Sequence, residues 1–495
     1  MAGFMIAAPR SGSGKTMVTC GILELLKRKQ KNPFSYKCGP DYIDGLFHRK
    51  VLGIEGGNLD SFFEQPQDMR EKYAAVSETY FPVVEGVMGY FDGLGGDTTA
   101  ASSWEVADIL DLPVVLVVDA KGASLSLAAL IKGFQVFQGE SQLSQANKNG
   151  NHIQAVILNR ISPMLYPRMK AVIEKETGVL VAGYVPELDF WQVGSRHLGL
   201  VLPGEIKNLQ EQMRQLGDCL EKTLDVDALL KLGEKADIDA LGSVTVTADG
   251  SSQKCEAQKN ADLVLQNQLS GEKISHSAIR IRLGVAWDEA FCFYYRDNLE
   301  FLEKQGAEIL RFSPVHDRHL PEDLDGLLLG GGYPELYGKA LEENKNMRNE
   351  IRRKAEEDMP VLAECGGYLY LLKELKDENG TGYEMAGVFS GKGYKKGKNS
   401  HFGYITVQTE RDSLYLKAGE TIKGHEFHYW ESTQDENELK MQAKKPTGKR
   451  SWPCVTVKNQ VMAGFPHLYY PSLEGFGERF VQACDRYRMK RKRQQ

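Results

Sequence analysis

No stretch of this 495-residue chain approaches the ~20 consecutive apolar residues that a membrane-spanning helix needs. Its eight cysteines, at positions 20, 38, 219, 255, 292, 365, 454 and 484, are scattered, with no CxxC pair and no metal-ligand spacing. That pattern argues against a disulfide framework or a zinc cluster and for reduced thiols in a cytoplasm. The formal net charge of -6 gives no reason to expect a nucleic-acid partner. The only basic block, Arg486 to Arg493, reads as a solvated helix end and not as a nucleic-acid or membrane patch. Residues 1–10 lack the charged and fully apolar regions of a signal peptide, so none is expected. There is no internal repeat. The expectation is a cytoplasmic protein that meets small molecules, with neither nucleic acid nor membrane as partner and with its oligomeric state open.

What is present is ordinary globular composition, 42% hydrophobic and 26% charged, on a chain too long for one core. Short apolar runs at Phe4–Ala8, Phe81–Val84, Pro113–Val118, Ile153–Leu158 and Val179–Val185 alternate with helical periods. Val18, Ile22, Leu25 and Leu26, for example, share one helix face. A second alternation begins at Ile281, with strands expected at Ile281–Trp287, Glu308–Phe312, Gly326–Leu329 and Pro360–Glu364. After about residue 383 the segments become Gly- and aromatic-rich β structure, closing on a helix near 474–489. Strand–helix alternation predicts an α/β protein of two domains, each a mostly parallel sheet flanked by helices. The expected division is 1–235, a polar linker over 236–278, and 279–495, with a surface insertion at 138–152.

Directly after the first strand stands Ala8-Pro9-Arg10-Ser11-Gly12-Ser13-Gly14-Lys15-Thr16, then a helix. Small residues let backbone N–H groups approach phosphates, and the helix N-terminus adds favourable partial charge. In this reading Ser11, Gly12, Ser13, Gly14, Lys15 and Thr16 bind a nucleotide, Lys15 reaching the β/γ oxygens and the Thr16 hydroxyl holding magnesium. Pro9 stands where a first glycine is usual, which weakens the pattern but not the chemistry. Acids are needed opposite the loop. Glu85, at the carboxyl end of a strand, is the strongest magnesium candidate and Asp41 the second. Asp41 and Asp44 have an alternative as turn or N-cap residues, and Asp119, at the end of the Pro113–Val118 strand, has a similar one.

In the second half, Pro360 to Leu369 reads as a buried strand, a small-residue turn bearing Cys365, and a helix. A strained turn of this kind exposes the sulfur, and the helix N-terminus favours the thiolate. Cys365 is the only one of the eight thiols so placed. The glycine loop Gly330-Gly331-Gly332 suits an oxyanion hole. His467 is a candidate base, with His425 and His428 as rivals that the residues alone do not separate.

Taken together, KCGPDYID (37–44), VVEGVMGYFDG (83–93), SRHLGLV (195–201), GGGYPE (330–335), AECGGYLYL (363–371) and GHEFHY (424–429) resemble the corrinoid amidating synthases. In that family a dethiobiotin-synthetase-like P-loop ligase is fused to a class I glutamine amidotransferase domain. The likeness spans nearly the whole chain except 138–152, 236–278 and the basic tail. It implies a ligase of cobalamin biosynthesis that uses ATP, Mg²⁺ and glutamine to amidate acetate carboxylates of an acidic tetrapyrrole through acyl phosphates. It also implies Cys365 as the glutamine-attacking thiolate, His467 as its base, and Gly331, Gly332 and Gly366 around the oxyanion. Tyr42, Asp44, Asp92, Ser195 and Arg196 are then candidates for substrate placement. The typical class I glutamate two residues after the histidine is Tyr469 here, so a cysteine–histidine dyad is expected. A nickel sirohydrochlorin, metal-free hydrogenobyrinate or cobyric acid enzyme remains open, as does a nucleotide-switched binding module of the partitioning-ATPase type.

Overall fold

Short strands, each unable to bury its faces alone, stack here into two large sheets and one small one. In this computed structural model the described residues are 2–42, 47–137, 139, 152–191, 208–241, 280–397, 401–434, 439–448 and 450–494. The first domain contains β1 (Phe4–Ala7), α1 (Lys15–Arg28), β2 (Pro33–Cys38), β3 (Gly56–Leu59), α2 (Pro66–Ser77) and β4 (Phe81–Glu85). It continues with α3 (Ser103–Leu110), β5 (Val114–Asp119), α4 (Ser126–Val136), β6 (Ile153–Asn159), α5 (Tyr166–Thr177), β7 (Leu180–Val185), α6 (Leu209–Thr223) and α7 (Val226–Leu241). The seven strands pair in the order β3-β2-β4-β1-β5-β6-β7, every pairing parallel. Both faces are covered: Phe4, Ile6, Val115 and Val117 pack on one side with α1 and α6, and Met5, Val114, Leu116 and Val118 on the other with α3 and α4. A strand buried on both faces must be apolar throughout, which is why Phe4–Ala7 and Val114–Val118 contain no polar residue. The order reverses around β1, so the loops after β1 and β4 open into one crevice at the carboxyl ends of the strands.

The second domain contains β8 (Ile281–Ala286), α8 (Arg296–Lys304), β9 (Ala307–Phe312), β10 (Gly326–Leu329), α9 (Gly338–Glu343), α10 (Lys345–Glu356), β11 (Val361–Glu364) and α11 (Gly366–Leu371). There follow β12 (Glu374–Lys376), β13 (Gly382–Glu384), β14 (Lys392–Lys395), β15 (Phe402–Gln408), β16 (Thr421–Phe427), β17 (Trp430–Ser432), β18 (Leu439–Lys444), β19 (Ser451–Lys458), β20 (Val461–Gly464), β21 (His467–Leu468) and α12 (Glu474–Gln494). The larger sheet runs β21-β16-β15-β18-β19-β20-β11-β10-β8-β9. It is parallel from β9 through β8, β10 and β11 to β20, and antiparallel from there outward. A mostly parallel sheet thus describes the first domain, whereas the second sheet is mixed. The cause is the long run after residue 383, where connections are too short for helical crossovers and strands can only turn back on themselves. A small sheet, β13-β12-β14-β17, flanks it. The basic tail lies in α12, where Arg491 pairs with the buried Asp325 at 3.1 Å and Arg488 with Asp485 at 2.6 Å. No helix among the described residues is long and apolar enough to cross a membrane.

The two domains meet along the β2–β3 edge of the first. Phe63 stacks on Tyr469 (5.0 Å, 6°) and meets Tyr295 and Tyr404 edge-on, and Tyr404 donates a hydrogen bond to Asp60 at 2.8 Å. Lys72 on α2 reaches Glu64 at 2.6 Å and, across the boundary, Asp297 at 2.9 Å. Burial works against the Lys72 charge, but the carboxylates of Asp297 and Glu64 outweigh it and hold the ammonium above its ordinary pKa. Lys72→Met strands two carboxylates facing each other, so we expect a loss of about 2 kcal/mol at this boundary. The check is denaturant unfolding, in which the variant should come apart at a lower concentration than the parent protein as the domains loosen.

Candidate active sites

The phosphate loop is built as its residues dictate. Gly12 and Gly14 take φ values of 78° and 98°, the left-handed region that side chains disfavour. A Cβ on Gly14 would also stand 2.3 Å from the Asn159 amide nitrogen. That amide, at the end of β6, donates to the Ser13 carbonyl at 2.8 Å, while the Ser13 hydroxyl donates to the Arg10 carbonyl at 3.0 Å. Gly14 caps α1 without a side-chain acceptor, so the first-turn N–H groups face the loop, the arrangement that binds anions. Lys15 donates to the Met88 carbonyl, in the loop that follows β4. The Thr16 hydroxyl donates to Glu85 at 2.6 Å, and Lys37 from β2 donates to the same carboxylate oxygen at 2.8 Å. Glu85 is fully buried. An oxygen set of hydroxyl and carboxylate beside a phosphate loop fits magnesium, which takes few protein ligands and completes its shell with phosphate and water.

Other expected residues distribute unevenly around this core. Asp41 lies on the turn after β2, its carbonyl accepting from the Asn58 amide at 2.9 Å. Asp92 accepts from the Gly89 N–H at 2.8 Å and so shapes the loop after β4. Asp119 is bound by Arg160 and, at 3.4 Å, by Arg10. Its partial burial opposes ionisation, yet the Arg160 guanidinium and the Lys121 N–H hold the carboxyl below its usual range. Asp44, Ser195 and Arg196 lie outside the described residues. Lys37 and Asn159 were not singled out in the sequence. Lys37 sits inside the KCGPDYID block, and Asn159 at a strand end facing the loop.

The cysteine centre is equally specific. Cys365 stands between β11 and α11 at φ 48°, ψ -102°, a conformation that costs a non-glycine residue of order 1–3 kcal/mol. Its N–H donates to the Gly464 carbonyl at 2.8 Å, pinning the turn to β20. The glycine loop closes over it: a Cβ on Gly366 would lie 3.0 Å from the Gly332 nitrogen, and one on Gly331 would lie 2.3 Å from His467 Cε1. The fold therefore brings Gly331, Gly332, Gly366, Cys365 and His467 together. Burial pushes the Cys365 thiol up, with Glu335 adding to it and the Gly366 N–H opposing. Burial pushes the His467 imidazolium down to about 3, aided by the nearby His428. At neutral pH the His467 ring is thus neutral and the Cys365 thiol protonated.

The rival histidines have other duties. His425 is the β-ladder partner of His467, stacks on it at 4.8 Å, and has its Nδ1 at 2.8 Å from the Tyr295 hydroxyl. His428 stacks on Phe465 at 3.9 Å with its Nδ1 bonded to the Trp430 carbonyl at 2.6 Å. Tyr42, from the first domain, is found here as well. Its ring lies 5.3 Å from Phe293 (8°) and 5.3 Å from the ring of His467. Glu364, directly before Cys365, was passed over in the sequence. It is buried, accepts from the Leu468 N–H at 3.3 Å and the Tyr470 hydroxyl at 2.9 Å, and presents its second oxygen 4.0 Å from His467 Nδ1.

A P-loop crevice in one half and a strained cysteine with its histidine in the other define a nucleotide-binding domain fused to a glutamine amidotransferase domain. Family models agree: residues 4–200 match the CobQ/CobB/MinD/ParA nucleotide binding domain, and residues 282–473 match the CobB/CobQ-like glutamine amidotransferase domain. The chain belongs to the cobyrinate a,c-diamide synthase family. It is 36% identical over 488 residues to the cobyrinate a,c-diamide synthase of Caldanaerobacter subterraneus subsp. tengcongensis, covering 98% of each chain. The Listeria innocua enzyme of that name is 35% identical over 94% of this chain and 96% of its own. That of Salmonella typhimurium is 36% identical over 86% and 85%.

Proposed function

We propose that this protein uses ATP, Mg²⁺ and glutamine to convert the a and c acetate carboxylates of cobyrinate into amides, a step of cobalamin biosynthesis. The observation that carries the reading is the contact of Tyr42, from the nucleotide-binding half, with His467 beside the cysteine. An ammonia source built against the synthetase half is what a glutamine-driven ligase requires. We assign residues 1–235 to the synthetase and 279–495 to the glutaminase, with 236–278 joining them.

In this reading Ser11 to Thr16 cradle the nucleotide, and Thr16, Glu85 and Asp41 hold magnesium. The metal neutralises phosphate charge when bound. Lys15 and the first-turn N–H groups of α1 stabilise charge on the transferring phosphoryl group. A substrate carboxylate oxygen attacks the γ-phosphorus, the bond to ADP breaks, and an acyl phosphate forms. Tyr42, Asp44, Asp92, Ser195 and Arg196 place the substrate, Arg196 by bidentate pairing with a carboxylate. In the other half the Cys365 proton passes to His467 while sulfur adds to the glutamine amide carbon. The C–N bond then breaks, His467 returns the proton to the leaving nitrogen, and water hydrolyses the thioester to glutamate. N–H groups around Gly331, Gly332 and Gly366 stabilise the oxyanion. Ammonia displaces phosphate from the acyl phosphate, and the cycle repeats at the second carboxylate.

The test is one assay with ATP, Mg²⁺ and glutamine, offering cobyrinate, hydrogenobyrinate, nickel sirohydrochlorin or a cobyric acid precursor in parallel and scored by mass. Two carboxyl-to-amide exchanges on cobyrinate are expected. Preferential turnover of another acceptor reassigns the substrate, and nucleotide hydrolysis with no acceptor amidated at all rejects the ligase reading.

A further inference from the structure

The proton acceptor of the cysteine site carries a group that has nowhere obvious to bond. His467 is 2% exposed, and its Nδ1 has no hydrogen-bond partner among the described residues. Leaving such a buried atom unmatched is costly, so a partner in the working state is expected. The residue two places on, Tyr469, is turned away: its hydroxyl donates to Asp297 at 2.9 Å and its ring stacks on Phe63. Glu426 is engaged by the Trp452 indole at 3.0 Å and faces His428 at 3.7 Å. Glu364 Oε2, by contrast, lies 4.0 Å from His467 Nδ1, while Oε1 is fixed by the Leu468 N–H and the Tyr470 hydroxyl. The Gly331 backbone packs against the Cε1 edge of the ring. A closure of about 1 Å makes the bond, and catalytic hydrogen bonds are commonly long until substrate is bound.

We infer that Glu364 is the third member of the cysteine site, a positioning acid that orients His467 and balances the charge its ring gains from Cys365. The inference rests on the proposed roles of Cys365 and His467. With Nδ1–H directed at Glu364, the neutral ring presents Nε2 as the base, which fixes the tautomer that accepts the thiol proton. Burial pushes the Glu364 carboxyl up to about 8, against the Tyr470 hydroxyl and the Leu468 N–H, and an imidazolium formed 4.0 Å away favours its ionised form. The acid therefore comes from the strand leading into the nucleophile, in place of the residue that follows the histidine in the typical class I site.

Glu364→Gln in the full-length protein separates charge from scaffolding, because the glutamine carbonyl still accepts from Leu468 and Tyr470. The expected result is a fall of roughly 100-fold in kcat for glutamine hydrolysis. The KM for glutamine and ammonia-driven amidation should both stay within about two-fold, since neither depends on proton transfer to His467. Iodoacetamide alkylation of the Cys365 peptide should slow in parallel. Tyr470→Phe, which removes a contact to Glu364 but not its charge, should keep glutaminase within about three-fold. An unchanged kcat in Glu364→Gln overturns the inference, and so does an equal loss in Tyr470→Phe or a loss of ammonia-driven amidation in Glu364→Gln. Failure of the underlying reading is distinct: it would appear as glutamine use retained by a Cys365 variant, whatever Glu364→Gln does.

Discussion

Cys365→Ser is expected to lower glutamine-driven amidation by at least about 10³-fold and to leave ammonia-driven amidation within about two-fold. Two features of the site argue for so large and so divided an effect. The strained turn that presents residue 365 is set by backbone, through the Gly464 carbonyl and the glycine loop, so serine inherits the geometry without the nucleophilicity of sulfur. A neutral His467 can withdraw a thiol proton far more readily than that of a hydroxyl, whose intrinsic acidity is much lower. The synthetase half contains none of these atoms and should accept free ammonia as before. Rates of amide formation with glutamine and with ammonium salt, measured side by side, decide the matter. Loss of both would break the division of labour between the two halves.

Lys15→Ala should remove both activities, by about 10³-fold or about 4 kcal/mol of transition-state stabilisation. The first residue of α1 is held beside the end of β4, its amine donating to Met88 while the neighbouring Thr16 donates to Glu85. In the proposed mechanism a cation at that point serves the phosphoryl transfer that precedes either nitrogen source. Alanine is a good helix former, and Gly14 already sets the turn, so the fold of α1 should survive the change. Thermal unfolding of the variant should therefore resemble the parent protein. Ammonia-driven turnover at more than a tenth of the original rate would remove the phosphate loop from the mechanism.

The parts of this structure legible in the sequence are those where local pattern and tertiary role coincide. Phe4–Ala7 and Val114–Val118 are apolar throughout because both faces are buried, Gly12 and Gly14 mark turns whose positive φ needs glycine, and Cys365 marks a strained one. β2 and β3 were not anticipated, and the reason is physical. β2 interposes Ser35 and Lys37, polar residues that enter the core only because His48 lies 2.8 Å from one and Glu85 2.8 Å from the other. β3, Gly56–Leu59, has almost no strand propensity and is held by its neighbour. The same blindness hid Glu364. An acid beside a nucleophile reads as a polar residue at a strand end, and only the return of the chain at β21 brings His467 to it. The aromatic, glycine-rich segments of the second sheet are legible, but its mixed character and pairing order are not, because they depend on contacts remote in sequence.

The aromatic boundary between the halves bears on how the protein can be divided. Phe62, Phe63, Tyr295, Tyr404 and Tyr469 cover one another across it, and Tyr42 reaches from one half into the centre of the other. Cut apart, each fragment would present an oily face to solvent, with Lys72 and Asp297 deprived of each other. The halves are thus poor candidates for exchange as independent parts. A chimera that borrows a nitrogen-releasing unit from elsewhere would have to import both sides of this seam as a matched set.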